Sequence, residues 1–154
     1  MADYIMDLRK IVGHRPLILV GASVLLEDSQ GRILLQKRQD DHRWCYHGGC
    51  LELDEEVEAA ARRELWEETG LTAGEMTLFG IFSGKEMRYS YPNGDQVSLV
   101  DIVYLCRDYT GALCPQPSEV EALRFFEADS LPEDLSGGVL PVLRKWAKSK
   151  GVCL

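Results

Sequence analysis

The segment of residues 54–69 constrains the fold most, because its sequence marks both ends of one α-helix. Asp54 is a residue type that caps a first turn, and Glu55 and Glu56 favour the positive end of a helix dipole. At the other end, Gly70 can adopt the left-handed conformation that ends many helices. The sequence therefore predicts a helix over residues 54–69.

One face of this predicted helix changes from apolar to acidic. At about 100° per residue, Val57, Ala60 and Ala61 lie on the same side as three acids in the last turns. These acids are Glu64, Glu67 and Glu68. They lie at the dipole end that disfavours anions, and two carboxylates roughly 5–6 Å apart repel by about 3 kcal/mol at an effective dielectric near 20. A positive group must therefore compensate them.

The sequence alone is compatible with two kinds of positive group that could compensate the three carboxylates. The glutamates could form a solvated face paired with Arg62 and Arg63, as charge runs on helices usually do. Alternatively, a site with several carboxylates suits Mg²⁺ or Mn²⁺, with water and phosphate oxygens as the remaining ligands. The alignment of the acids with the apolar stripe favours the cation. A cation site of this kind implies metal-assisted attack of water on phosphorus.

Length and composition limit the class of protein. A chain of 154 residues is the size of one domain, and we expect a single domain over residues 1–154. No apolar run could cross a bilayer and no signal peptide is evident, so we expect a soluble, cytoplasmic protein with no membrane partner. Five cysteines, an odd number, favour reduced thiols. The net charge of −8 argues against a nucleic-acid platform, although cations could mediate contact with a phosphate-bearing small molecule.

The first part of the chain predicts a helix and a hairpin. "DYIMDLRKIV" has apolar residues at helical spacing, which predicts a short N-terminal helix within residues 1–14. Its apolar stripe must pack on its own sheet or on a partner, and because symmetric dimers are the commonest oligomers we expect a homodimer. "LILVGASVLL" and "RILLQKR" are β-rich runs separated by a turn-forming segment, and they predict a hairpin.

The rest of the chain predicts more strands and a closing helix. A second hairpin is expected from "TLFGIFSG" to "VSLVDIVYLC", because Asn93-Gly94 between them is a strong turn signal. "ALRFFE" predicts one further strand. "GGVLPVLRKWAKSK" has its apolar residues on one face and predicts a final helix. The pattern is that of a mixed α/β domain.

The stretch "GCLELDEEVEAAARRELWEETGL", residues 49–71, resembles the sequence box of the Nudix hydrolase family at every defining position. The match consists of Gly49, five residues, Glu55, seven residues, Arg63-Glu64-Leu65, one residue, Glu67-Glu68, one residue, and Gly70-Leu71. Nine specified positions at fixed spacing are hard to obtain by accident. The segments from "LLQKR" to "FFEADSLPEDL" also resemble the family, so the resemblance covers most of residues 17–146.

The resemblance implies a fold and a reaction. The fold is of the α/β class, a Nudix-type α/β/α sandwich with a mixed β-sheet. The reaction is Mg²⁺- or Mn²⁺-dependent hydrolysis of the pyrophosphate linkage in a nucleoside diphosphate joined to another group. ADP-ribose, nucleotide sugars, dinucleotide polyphosphates and oxidised nucleoside triphosphates all stay open as substrates. A function from a different class, a non-catalytic domain that binds nucleotides as a sensor, is disfavoured because the complete set of acids is present.

The resemblance also implies roles for individual residues. Cation ligands are implied at four positions: Glu64, Glu67, Glu68 and the carbonyl of Gly49. Arg63 and Glu55 would hold the loop and the helix together, and Gly70 would end the helix. One carboxylate must deprotonate the attacking water. Either Glu64 or Glu119 could do so, and the alternative for Glu119 is an ordinary exposed glutamate of a loop.

Two positions depart from the family pattern. Tyr46 and His47 stand where leucine and proline are common in the family. His47 could contact a phosphate or a metal-bound water, or it could be a loop histidine bonded to a backbone carbonyl. Asp54 stands where glycine is usual before Glu55, and helix capping would explain it.

A zinc site is an alternative use of the segment "HRWCYHGGC". It brings His42, Cys45, His47 and Cys50 within nine residues, and all four are zinc-ligating residue types. Structural zinc sites usually combine two separated pairs of ligands, so this compact spacing argues against zinc.

Three residues outside the box are candidates for binding the rest of the substrate. Arg38 could reach a phosphate, or its guanidinium could be solvated at the surface. Tyr89 and Tyr91 could stack on a base, or they could simply pack across the strands beside the predicted turn.

Overall fold

The computed structural model describes residues 3–154. Within these residues the α-helices are α1 (Asp3–Val12), α2 (Val57–Thr69) and α3 (Leu140–Ser149). The strands in the same part of the chain are β1 (Leu17–Leu26), β2 (Ile33–Arg38), β3 (Trp44–Cys45), β4 (His47–Cys50), β5 (Thr72–Ala73), β6 (Met76–Phe82), β7 (Arg88–Ser90), β8 (Gln96–Cys106), β9 (Tyr109–Thr110) and β10 (Val120–Phe126). A 3₁₀ turn, Lys85–Met87, precedes β7.

The main sheet has a parallel pair of strands at its centre. Its strand order is β4-β1-β8-β6, and β7 pairs with the first part of β8. β1 and β8 run parallel from Leu17↔Val97 to Leu26↔Cys106, whereas the other pairs are antiparallel. A second sheet has the order β10-β2-β3, and β5 pairs with β9. The main sheet is therefore mixed, as predicted.

Helices cover the two faces of the main sheet. On one face, Ala22 and Val24 of β1 pack with Ala60 and Leu65 of α2, and all four side chains are fully buried. On the other face, the neighbouring residue Leu25 packs with the apolar stripe of α3. That stripe consists of Val142, Leu143 and Trp146. The predicted α/β/α sandwich is confirmed.

The first predicted hairpin is wrong. β1 pairs with β4 and β8, whereas β2 joins β10 and β3 in the second sheet. The turn between them does form around the Asp28 carboxylate, and a single bridge joins Glu27 to Ile33. Further along β2, Leu34 belongs to the core beneath α2 and Leu35 to the core beneath α3. Burial on both faces therefore decides the pairing of β2, and a local turn signal does not contain that information.

The later elements agree with the sequence predictions. β6 pairs antiparallel with the second half of β8, and β7 forms a tight hairpin with the first half. In the turn at Asn93-Gly94, the N–H of Tyr91 donates to the carbonyl of Asp95 at 2.8 Å. β10 and α3 occupy the positions predicted for the last strand and the closing helix. No helix within residues 3–154 has the length and apolar character needed to cross a membrane.

The N-terminal helix packs on its own chain. Ile5 of α1 is 3% exposed and contacts Leu19 of β1 and Val97 of β8. The Arg9 guanidinium fixes the helix to the following loop and to the sheet by donating to backbone carbonyls. The acceptors are Gly13, Arg15 and Gln96. This packing buries Ile5 of the apolar stripe but leaves Ile11 83% exposed, and the homodimer stays a prediction.

The start of α2 differs from the sequence prediction. The helix begins at Val57, its N-cap residue is Glu56, and no side chain caps it. Asp54 lies in the preceding loop with a φ of 61°, in the left-handed region. Glycine reaches this region without strain, and aspartate is one of the few other residues that tolerate it. Asp54 is therefore a turn residue and does not cap the helix. The predicted end at Gly70 is confirmed, with a φ of 77° and its N–H donating to the Trp66 carbonyl.

The conformation of Asp54 gives a test of this correction. Asp54→Gly should raise the free energy of unfolding by about 0.5 kcal/mol, because glycine adopts a positive φ more easily than aspartate. Asp54→Ala removes the same carboxylate but keeps a Cβ, and it should lower the free energy of unfolding by about 1 kcal/mol. Urea denaturation of the three proteins measures both changes. A loss of stability in both variants would instead support the capping role.

Candidate active site

A cleft of about 520 Å³ opens on the face of the main sheet that carries α3. Gly21 and Ser23 of β1 and Asp101 of β8 form its floor. Six predicted site residues line it: Arg38, Gly49, Glu64, Glu68, Tyr89 and Glu119. Five others lie outside the lining: His47, Glu55, Arg63, Glu67 and Gly70. The cleft thus collects residues from distant parts of the chain at the end of α2.

Glu68 is the most deeply buried acid of α2. Its side chain is 8% exposed, and its Oε2 accepts hydrogen bonds from Gln36 Nε2 at 2.6 Å and from the Gly48 N–H at 3.2 Å. Burial raises the pKa of Glu68 to about 8, and the negative charge of Glu119 contributes in the same direction. Both hydrogen-bond donors are neutral, and although the charge of Arg38 lowers the pKa of Glu68, the effect of burial is larger.

Glu64 lies one turn earlier on the same face of α2. Its side chain is 14% exposed, and its Oε1 accepts a hydrogen bond from Arg63 Nη1 at 2.8 Å. Burial raises the pKa of Glu64 to about 7, and repulsion from Glu68 adds to the rise. Two adjacent carboxylates on the cleft wall therefore hold protons near neutral pH when no cation is bound.

Arg63 joins α2 to the loop in front of it. Its guanidinium donates to both oxygens of Glu55, at 2.7 and 2.9 Å, and lies 3.4 Å from Glu67 Oε2. The hydrogen bonds from Arg63 lower the pKa of Glu55, which keeps that carboxylate charged. Glu67 points to this side of the helix and is 37% exposed. One guanidinium is thus shared by Glu55, Glu64 and Glu67.

Two glycines of β4 allow the strand to lie against the acids. A Cβ on Gly49 would lie 2.3 Å from Glu64 Oε1, and a Cβ on Gly48 would lie 2.2 Å from Ser23 Oγ. No side chain fits at such distances without displacing its neighbours. Gly48 is therefore required for the close approach of β4 to β1, because a Cβ there would also meet the Ala22 carbonyl, whereas a Cβ on Gly49 would displace the Glu64 carboxylate.

Arg38 and Tyr89 line the opposite side of the cleft. Arg38 donates from Nε and Nη2 to the two oxygens of Asp40, at 2.7 and 2.6 Å. Tyr89 donates its hydroxyl to Asp41 Oδ2 at 2.8 Å and packs edge-on against Tyr91, with ring centroids 4.8 Å apart. The two tyrosines lie two residues apart on one segment of the chain, so they are not a cross-strand pair, and the residue opposite Tyr89 in the ladder is Val97. Both tyrosine side chains also face the cleft.

Glu119 reaches the cleft from the loop before β10. Its residue is exposed, and its backbone carbonyl accepts a hydrogen bond from the N–H of Gln39 at 3.0 Å. Among the hydrogen bonds of residues 3–154, none involves the Glu119 carboxylate. It is therefore an exposed acid that faces the same cleft as Glu64 and Glu68.

Comparison with known proteins assigns the family. The family model described as NUDIX domain matches residues 17–146, which is most of the chain. The chain belongs to the Nudix hydrolase family. The segment of residues 49–71 is its Nudix box, and the resemblance predicted from the sequence is confirmed.

Individual relatives agree with this assignment. The chain is 29% identical over 121 residues to a MutT-like protein of Streptomyces ambofaciens, which covers 79% of this chain and 71% of that protein. It is 28% identical over 116 residues to an ADP-ribose pyrophosphatase of Methanocaldococcus jannaschii, covering 74% of this chain and 64% of the relative. The crystal structure of a MutT NUDIX hydrolase from Burkholderia pseudomallei superimposes with a TM-score of 0.72 at 30% identity. That match covers 84% of this chain and 98% of the crystallised one.

The acids of the Nudix box fit a divalent cation by their chemistry. They offer several carboxylate oxygens, the ligands that Mg²⁺ and Mn²⁺ prefer, and the Gly49 backbone lies directly against Glu64. Within the part of the chain that the structure describes, no three His, Cys, Asp or Glu side chains converge on one metal position as they stand. At α2, Arg63 holds Glu64 and Glu67. The carboxylates therefore suit a divalent cation. In this structure the positive charge beside Glu64 and Glu67 is the Arg63 guanidinium.

The zinc alternative is wrong. His42 is exposed and its Nδ1 lies 2.8 Å from Glu121 Oε2, whereas Cys45 and His47 are buried. Burial raises the pKa of Cys45 to about 12, so the thiolate that zinc requires is disfavoured. The five cysteines, all within residues 3–154, are free thiols as expected. The close spacing in sequence does not bring these side chains together because they point to different layers of the fold.

His47 has no surface on the cleft. It lies on β4 opposite Val24, facing α2, and is fully buried. Burial lowers its pKa to about 4, although the neighbouring Leu34 backbone acts in the opposite direction, so the ring is neutral. Neither ring nitrogen has a partner at hydrogen-bond geometry among the described residues, and Nδ1 lies 3.4 Å from Glu68 Oε2. This placement gives His47 no direct contact with a substrate in the cleft.

The acid on the cleft floor is not among the site residues predicted from the sequence. Asp101 is 1% exposed and accepts hydrogen bonds from Ser23 Oγ and Tyr46 Oη, both at 2.7 Å. Burial raises its pKa, while the two hydroxyl donors lower it. One signal could have found it, since Asp101 is the lone charged residue in the apolar run "VSLVDIVYLC". An acid at such a position must be paired or face a cavity.

The raised pKa values predict how the metal-free protein responds to pH. The protonated forms of folded Glu64 and Glu68 stabilise the protein fully below pH about 4.3, where unfolded glutamates titrate. This contribution is lost as pH rises through their folded pKa values of about 7 and about 8. In chelator, the melting temperature of the parent should therefore fall more between pH 6 and pH 9 than that of Glu68→Gln. Parallel changes in the two proteins would contradict the assigned shifts.

Proposed function

We propose that this Nudix hydrolase cleaves the pyrophosphate linkage of a nucleoside diphosphate derivative, with Mg²⁺ or Mn²⁺ as its cofactor. The observation that carries the proposal is the excess of carboxylates over cations at the cleft. Arg63 is shared by three acids, and Glu68 has only neutral donors. Arg62, the second cation that a solvated face would need, pairs with Glu58 instead. A bound divalent cation would therefore neutralise the excess carboxylate charge at the cleft.

The residues of the Nudix box would have different roles in binding the cation. Glu64 and Glu68 face the cleft and would bind the cation, together with the carbonyl of Gly49. Glu67 lies beside them and would contribute from the outer side of the helix. Arg63 and Glu55 would keep the loop and α2 in register, as their two hydrogen bonds do here. When bound, the cation would neutralise charge on the pyrophosphate and promote deprotonation of water.

Glu119 is our candidate for the base that accepts the proton of the attacking water. Lone pairs of Glu64 and Glu68 would be engaged by the cation, whereas the Glu119 carboxylate faces the same cleft. An exposed loop position leaves this carboxylate free to approach a bound substrate. Glu64 is the alternative base, because it also lines the cleft and burial raises its pKa to about 7.

The group attached to the diphosphate would lie over the floor of the cleft. Arg38 would contact a phosphate, and Tyr89 would pack against a base or sugar together with Tyr91. Asp101 and its two hydroxyl partners would accept hydrogen bonds from N–H or O–H groups of that ligand. ADP-ribose, nucleotide sugars, dinucleotide polyphosphates and oxidised nucleoside triphosphates each present such donors. The substrate would be the member of this panel that the protein hydrolyses fastest.

The main test is Glu68→Gln, with Glu58→Gln as its matched control on the exposed side of α2. With the best substrate, Glu68→Gln should lower turnover about 100-fold or more, because charge developing at the phosphate loses a counter-ion. Added Mg²⁺ should raise the melting temperature of the parent more than that of Glu68→Gln, since a ligand stabilises the state that binds it. Glu58→Gln should behave like the parent in both measurements.

Two further variants in the same assay separate the proposed roles. Glu119→Gln should lower turnover but keep the stabilisation by Mg²⁺, because Glu119 is proposed as a base and not as a ligand. Arg38→Ala should raise KM more than it lowers kcat, as loss of a binding contact does. An active Glu68→Gln protein with an unchanged response to Mg²⁺ would contradict the proposal. Nucleotide binding without phosphate-containing products from any member of the panel would instead favour the sensor function.

A further inference from the structure

The polar contacts of the Glu68 carboxylate within residues 3–154 all involve one of its two oxygens. Gln36 Nε2 lies 2.6 Å from Oε2, the Gly48 N–H lies 3.2 Å from it, and His47 Nδ1 lies 3.4 Å from it. Among the residues that the structure describes, no polar contact involves Oε1. Glu68 itself lines the cleft. The carboxylate is therefore held from one side, which leaves its other oxygen available to a ligand.

His47 is the member of this group that most needs an explanation. It is fully buried, and neither ring nitrogen has a hydrogen-bond partner among residues 3–154. A buried polar group without a partner destabilises a protein, so a histidine at this position is costly for folding alone. A neutral imidazole has one N–H to donate, and two acceptors lie near the ring: the Leu34 backbone, which raises the pKa of His47, and Glu68 Oε2, which lies 3.4 Å from Nδ1.

We propose that His47 and Gln36 are positioning residues that hold Glu68 Oε2, so that Glu68 binds the divalent cation through Oε1. The inference rests on the proposed function, because it assigns these residues to a cation at the cleft. His47 would donate from Nδ1 to Oε2, and Gln36 donates from the neighbouring strand β2. Groups that orient a ligand in this way tune metal affinity without touching the metal.

The geometry also separates His47 from an ordinary core residue. Val24 lies opposite it in the ladder and belongs to the apolar core beneath α2, and the Glu68 carboxylate is the charged group next to the ring. A leucine would suit such surroundings better than an imidazole does, because it leaves no polar atom unpaired. A role in packing alone therefore predicts that His47→Leu is destabilising only through shape, with no effect on cation affinity. A positioning role predicts weaker cation binding without loss of metal-free stability.

The test measures Mn²⁺ affinity directly, by electron paramagnetic resonance of free Mn²⁺ in titrations of the full chain. His47→Leu should raise the Mn²⁺ dissociation constant about tenfold. His47→Asn, whose side-chain amide can donate from nearly the position of Nδ1, should restore affinity to within about threefold of the parent. Gln36→Leu should weaken binding as His47→Leu does. His42→Asn removes an exposed histidine from a left-handed position that asparagine tolerates, and it should bind Mn²⁺ like the parent.

Melting curves in chelator accompany each titration. The metal-free melting temperature of His47→Leu should equal or exceed that of the parent, because the variant loses an unpaired buried group. Parent-like Mn²⁺ affinity in His47→Leu, or no recovery in His47→Asn, would overturn the inference while leaving the proposed function intact. If the parent itself fails to bind Mn²⁺, the proposed function and the inference both fail. Should His47→Leu unfold, Gln36→Leu and His47→Asn carry the same comparison.

Discussion

The contact between the last turns of α2 and the Gly48-Gly49 segment of β4 is the constraint on which the site depends. Without side chains at these two positions, β4 lies against Glu64 on one side and Ser23 on the other. The same approach brings the Gly48 N–H to Glu68 Oε2. Two acids are thereby buried at the edge of a cleft, where their charges repel and their protons are retained. A helix with this composition would otherwise turn these residues to solvent.

The rest of the fold supports this contact from both layers. Ala60 and Leu65 anchor α2 to β1, so the acids one and two turns later fall on the cleft side. The parallel pairing of β1 with β8 sets Ser23 next to Asp101 across the strands and supplies the polar floor. Arg63 closes the arrangement by binding Glu55 in the loop. The acidic cleft therefore lies between the apolar core beneath α2 and the apolar core beneath α3.

Much of the site could be predicted from the sequence because its signals are local. The spacing of Ala60, Ala61, Glu64 and Glu68 places acids on the buried face of one helix, and Gly70 ends that helix. The first prediction uses only helical periodicity, and the second uses only the preference of glycine for the left-handed conformation. The family assignment follows from the same segment and is confirmed. The cytoplasmic location, the single domain, the absence of a nucleic-acid platform and the homodimer stay predictions.

The errors concern features that depend on distant parts of the chain. The β1–β2 hairpin was expected from its turn, but β2 is recruited by β10, more than eighty residues later. Asp54 resembles a cap by residue type, whereas its role follows from a φ of 61° that no local pattern reveals. Asp101 and Gln36 reach the site only because non-adjacent strands meet there. Strand pairing and burial decided the first and last of these cases, and the backbone conformation of an exposed loop decided the role of Asp54.

The most direct measurement of the central claim is a crystal structure of the protein grown with Mn²⁺, with data collected at the manganese absorption edge. We expect an anomalous peak in the cleft within direct coordination distance of Glu64 and Glu68. Gln36 should then still donate to Glu68 Oε2, with Oε1 on the metal. An anomalous peak elsewhere, or none in the cleft at saturating Mn²⁺, would contradict the account, because the buried acids of α2 would then have no cation to compensate them.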